Sequence, residues 1–88
     1  MAYVVIRMKI LPEEVGTDLG ALLKSVQQAL PPNAEVRRSV EEPIAFGLVA
    51  LILDILSEER EGVMDQLETS VRSAKGVSEV QVLAVSRA

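Results

Sequence analysis

The run Leu48–Leu56 is almost continuously apolar, broken only by Asp54. It is far shorter than the roughly 18–20 residues that span a bilayer. A run of this length suits a central β-strand covered over much of both faces. A second strand is expected over Tyr3–Leu11, where Val4, Ile6, Met8 and Ile10 fall on one side and Arg7 and Lys9 on the other, the period of two of a half-buried strand. A third, Ala34–Val40, has Val36 and Val40 as its apolar members and carries Arg37 and Arg38. Charges inside a strand suit a sheet edge, where they discourage pairing with other chains. The last, Val77–Val85, is expected to show Val80, Val82 and Ala84 on one face.

Two helical stripes separate these strands. Leu19, Leu22, Leu23, Val26 and Leu30 recur at helical spacing after Thr17 or Asp18, either of which can cap a helix N-terminus, and Pro31-Pro32 stops the pattern. Val63, Leu67, Val71 and Ala74 form the second stripe, with Ser57 as a possible cap before it and Lys75-Gly76 as a stop signal. The order βαββαβ, with right-handed crossovers, places both helices on one face of a four-stranded antiparallel sheet, an α+β ferredoxin-like sandwich with strands one and three central. Residues 1–88 are expected to form one domain. The other sheet face is left open. It is expected to carry Val5 and, depending on register, either Ile52 with Ala50 or Leu51 with Leu53; Asp54 favours the first pair as the outward set of a partly apolar contact surface.

Composition narrows the function. Hydrophobic residues make up 49% of the chain but aromatics only 2%, so the core is aliphatic. Cysteine and histidine are both absent, which removes thiol nucleophiles, the imidazole base, disulfides and structural zinc together. With a net charge of −4 and no basic cluster, neutralisation of nucleic-acid phosphates is not expected. The first residues lack the basic-then-apolar order of a signal peptide. A soluble cytoplasmic protein is expected, with no membrane partner.

Enzymatic readings fare poorly. The ferredoxin-like fold can hydrolyse acyl phosphates from the loop after strand one, but here that loop is Pro12-Glu13-Glu14-Val15-Gly16, whose carboxylates repel phosphate. The pairs Glu13/Glu14, Glu41/Glu42 and Glu58/Glu59 lie at element ends, where solvated charge is ordinary. No catalytic residue, cofactor or metal site is therefore assigned.

Two residues stand out as contact points. Phe46, the only Phe, lies between Pro43 and Gly47 rather than within an apolar run. An aromatic at a loop tip can anchor an interface, with Gly47 allowing a tight backbone and Pro43 stiffening the approach. Arg87 offers a planar, permanently charged fork. The end of strand four and the loop joining strands two and three are expected to lie at the same end of the sheet, making Phe46 and Arg87 one composite contact.

The segment Pro43-Ile44-Ala45-Phe46-Gly47-Leu48, the spacing of both helices and the ending Val77–Ala88 resemble the translation elongation factor 1-beta family, whose motif is Pro-x-x-(Phe/Tyr)-Gly. The resemblance covers essentially the whole chain and matches the short archaeal form. It implies a guanine nucleotide exchange factor acting on elongation factor 1-alpha, the GTPase that delivers aminoacyl-tRNA. It also implies that Pro43, Ile44, Phe46, Gly47 and Arg87 bind the partner. In the family the loop aromatic enters a pocket of the GTPase, and a basic residue next to the C-terminus approaches its magnesium and phosphates. The eukaryotic branch usually has Lys at the position of Arg87, and family members often carry Lys where this chain has Val49. The competing readings are a ferredoxin-like regulatory module that binds small molecules and a plain dimerisation domain.

Overall fold

The computed structural model describes residues 2–88. Its elements run β1 (Tyr3–Pro12), α1 (Leu19–Ala29), β2 (Ala34–Pro43), a single 3₁₀ turn (Ala45–Gly47), β3 (Val49–Glu58), α2 (Val63–Arg72) and β4 (Val77–Arg87). The sheet order is β2-β3-β1-β4, antiparallel throughout. Strands one and three are central, as the apolar runs require. This is the ferredoxin-like α+β sandwich.

The alternation in β1 holds along its whole length. Val4, Ile6, Met8 and Ile10 meet Leu51, Leu53 and Ile55 of β3, Leu22 and Val26 of α1, and Val63, Leu67 and Val71 of α2 in one aliphatic core. Each such side chain contributes roughly 1.5–3 kcal/mol on burial. Asp18 caps α1, its carboxylate accepting from the Ala21 N–H at 3.2 Å. The Ser25 hydroxyl donates to the Lys75 carbonyl at 3.0 Å, tying α1 to the turn after α2. Among the described residues no helix is long and apolar enough to cross a membrane.

Four local expectations change. Ser57 does not cap a helix: it extends β3, fully buried, opposite Val4 and Ala34. The helix begins after Gly62, whose φ of 78° is the left-handed turn that glycine tolerates. At its other end α2 stops at Arg72, and Gly76, with φ 91°, opens β4 instead of closing the helix. In β2 a register shift between Val36 and Arg38 places Val36 opposite Ile55 on the helix side but Val40 opposite Ile52 on the open side. In β4 a shift around Leu83 turns Ala84 to the open side opposite Arg7, away from Val80 and Val82, and brings Val85 opposite Ile6. One inserted residue reverses the side-chain alternation beyond it, which is how a bulge acts.

The open face does carry Ile52 and Val5, but Ala50 is fully buried rather than presented there, and ion pairs run across the face. Arg7 donates from Nε to Asp54 Oδ1 at 2.8 Å and from Nη2 to Oδ2 at 3.2 Å, and Lys9 Nζ lies 3.2 Å from Glu42 Oε2. This surface is amphipathic rather than an apolar patch. The Arg7 hydrogen bonds hold the Asp54 carboxyl below its ordinary range, opposed by partial burial and helped by the charges of Arg7 and Arg38. A depressed carboxyl favours the folded state above its unfolded titration range, and that contribution is lost as pH falls through the folded value. Asp54→Asn is therefore expected to melt lower than the native chain at neutral pH. The gap should close under acid, as followed by circular dichroism across a pH series.

Candidate functional site

The segment Pro43–Leu48 is a compact turn. Pro43 is the last residue of β2 and pairs with Val49, so the motif proline sits where an edge strand tolerates a missing N–H. The Ile44 N–H donates to the Leu48 carbonyl at 2.8 Å, and the Leu48 N–H to the Ala45 carbonyl at 3.2 Å. These two bonds close the loop at its base. Between them Phe46 adopts φ 61°, ψ 32° and Gly47 φ 79°. Glycine takes this left-handed conformation freely, whereas a bulky side chain there is a genuine outlier that costs on the order of 1–3 kcal/mol.

Phe46 is also 95% exposed. Leaving a Phe in water forgoes roughly 1.5–3 kcal/mol of burial. The backbone is thus strained in a way that presents, rather than hides, the only Phe of the chain. Neither feature serves the core.

Arg87 is the last residue of β4, opposite Val4. The Ala88 N–H donates to the Tyr3 carbonyl at 3.0 Å, so residues 87–88 are held against β1. The Glu59 N–H donates to the Ala2 carbonyl at 2.9 Å beside them. The Arg87 guanidinium lies 3.6 Å from the Glu59 carboxylate, with its side chain 83% exposed. A loose, solvent-exposed pair of this kind is worth little, so the cation remains free to engage another charge.

Strand directions overturn the expected composite contact. β4 runs antiparallel to β1 and finishes beside its start, at Val4, while β3 begins beside the end of β1. Phe46 therefore sits at the end where β1 finishes and Arg87 at the opposite one. Eight residue steps of β1 separate Val4 from Pro12, which is about 26 Å of strand. The molecule measures 42 × 20 × 18 Å, so the two candidate contacts lie near the two ends of a rod. Of the remaining motif residues, Pro43, Ile44 and Gly47 gather around Phe46. Val49 follows in the same hairpin, half-buried.

Val15 was not singled out from sequence. It is 62% exposed in the loop between β1 and α1. A Cβ built on Gly47 would come 3.4 Å from Val15 Cγ1, so this loop closely approaches the Phe46 turn. The available signal was a lone valine between two acidic residues and a glycine, apart from any periodic stripe.

The fold has a structural counterpart in the C-terminal domain of the MgtC protein from Mycobacterium tuberculosis, with a TM-score of 0.56 at 15% identity over 96% of this chain and 87% of that one. That likeness concerns the frame alone. Family membership is decided by sequence: residues 5–88 match the EF-1 guanine nucleotide exchange domain, and the chain belongs to that family. It is 46% identical to elongation factor 1-beta of Staphylothermus marinus, over 99% of this chain and 98% of that protein. It is 43% identical to the protein of that name from Thermofilum pendens, over 99% and 97%. Against elongation factor 1-beta of Methanothermobacter thermautotrophicus the identity is 40%, over 99% and 98%. These matches do not favour a small-molecule regulatory or dimerisation module.

Proposed function

We propose that the chain speeds release of GDP from elongation factor 1-alpha in the cytoplasm, by protein contact and without bond chemistry of its own. The family supports guanine nucleotide exchange. The observation that carries the contact mechanism is Phe46, strained and 95% exposed at the end of the rod. Pro43, Ile44 and Gly47 hold the turn that presents it. As a wedge, Phe46 gains its burial only when a partner supplies a pocket, and so selects a partner conformation in which that pocket is open.

Arg87 serves the other end. Two unit charges about 4 Å apart interact by roughly 4 kcal/mol at an effective dielectric of 20. A guanidinium brought toward the GTPase's magnesium disfavours the metal on that scale, and GDP loosens with it. The anchoring of Ala88 to Tyr3 keeps Arg87 at a fixed place on the rod. The exchange factor stabilises the nucleotide-free intermediate and accelerates release and rebinding alike.

The test is release of a fluorescent GDP analogue from the cognate elongation factor 1-alpha. Micromolar amounts of this chain should raise the release rate well above the spontaneous one. An unchanged rate would remove the proposal.

A further inference from the structure

We propose that Val15 is a second anchor in the Phe46 contact, and that the two enter an apolar pocket with a basic rim on the GTPase; this rests on the reading of Phe46 as a partner contact. Val15 has no evident role in the core, since it is 62% exposed. Its loop is nonetheless built rather than slack. The Glu13 N–H donates to the Gly76 carbonyl at 3.0 Å, the Thr17 hydroxyl donates to the Glu14 carbonyl at 2.6 Å, and Asp18 is fixed as the cap of α1. Gly16, with φ 82°, turns the chain immediately after Val15.

The close approach of Val15 to Gly47 joins this loop to the residue next to Phe46. Two exposed apolar side chains from separate loops thus share one end of the rod. Burying both in a single pocket removes more apolar surface from water than burying the aromatic alone.

The charge around them states the chemistry of the receiving surface. Glu13 and Glu14 precede Val15, and Glu41 lies two residues before Pro43, all exposed. Lys75, next to the Gly76 that holds Glu13, is an exposed positive charge, and Glu42 is already paired with Lys9. The margin is negative on balance, so a complementary partner places Lys or Arg around an apolar hollow. Such rim charges act mainly on encounter rate and salt dependence, while the apolar centre sets how long the complex lasts.

The experiment measures kcat/KM for fluorescent GDP release from elongation factor 1-alpha at several salt concentrations. It compares the native chain with Phe46→Ala, Val15→Ser and the double variant Glu13→Gln/Glu14→Gln. Val15→Ser should lose about five- to tenfold in kcat/KM, chiefly through KM, with an unchanged melting temperature. The glutamine pair should lose about two- to fivefold at low salt and nothing at high salt. A folded Val15→Ser within about twofold of native, alongside a strongly impaired Phe46→Ala, would overturn this inference and leave the exchange reading standing. A glutamine pair as fast as native at low salt would overturn the basic rim. No acceleration by the native chain would overturn the exchange reading and this inference with it.

Discussion

Phe46→Ala is expected to lower exchange activity about thirtyfold while leaving stability within about 0.5 kcal/mol of native. The first figure is the free energy of a truncated aromatic anchor, about 2 kcal/mol or more, converted at 1.36 kcal/mol per decade. The second follows from exposure: at 95% exposed, the ring has little contact with the fold to lose. Phe46→Gly sharpens the test. Glycine relieves the left-handed strain at φ 61°, which offsets the extra freedom it brings to the unfolded chain. That variant should be as inactive as Phe46→Ala and no less stable than native. A core aromatic would show the opposite pattern, with activity falling only as the protein unfolds. Parallel thermal melts and GDP-release assays separate the two.

Arg87→Ala is expected to give the other large effect, and its size should depend on magnesium. Repulsion between two unit charges at about 4 Å is roughly 4 kcal/mol, and against a divalent ion about twice that, before distance and solvent screening lower it; a loss of at least about tenfold is expected at millimolar magnesium. With the metal chelated, there is no ion left for the cation to oppose. Native and Arg87→Ala should then release GDP at similar rates. Arg87→Lys keeps the charge and should recover most of the activity. If the loss is the same with and without magnesium, Arg87 acts by contact alone. The Glu59 carboxylate 3.6 Å away does not alter the direction of this result, because an exposed pair yields readily to a stronger field.

Much of the frame was legible in the sequence because hydrophobic period and punctuation agreed. Val4–Ile10 alternated and became the core face of β1, and Leu22, Val26, Leu67 and Val71 followed the helical period into the same core. Two departures within the strands show where that signal ends. A bulge leaves no mark in a period-two pattern, so the reversal between Val36 and Val40 and the turning out of Ala84 were invisible until strands were paired. Ser57 misled because a hydroxyl before an acidic run resembles a cap, whereas here it fills a small buried position in β3.

The placement of Arg87 follows from topology alone. Each βαβ crossover carries the chain back to the end where its first strand began, so the second strand runs parallel to the first: β2 finishes where β1 finishes and β4 where β3 finishes. Phe46 follows β2, and Arg87 ends β4. The candidate site was therefore legible residue by residue but not as an arrangement. Its remaining part, the left-handed Phe46 with Val15 near Gly47, depends on the close approach of two loops distant in sequence.

Separation makes the central claim quantitative. Contacts lying some 26 Å or more apart along the sheet, with no shared partners, should contribute independently to one complex. The decisive measurement is GDP release from elongation factor 1-alpha catalysed by native chain, Phe46→Ala, Arg87→Ala and the double variant, under identical magnesium. The two single losses in kcat/KM should multiply in the double variant to within about a factor of two. A double variant no slower than the worse single one would contradict the two-ended contact and point to one shared site.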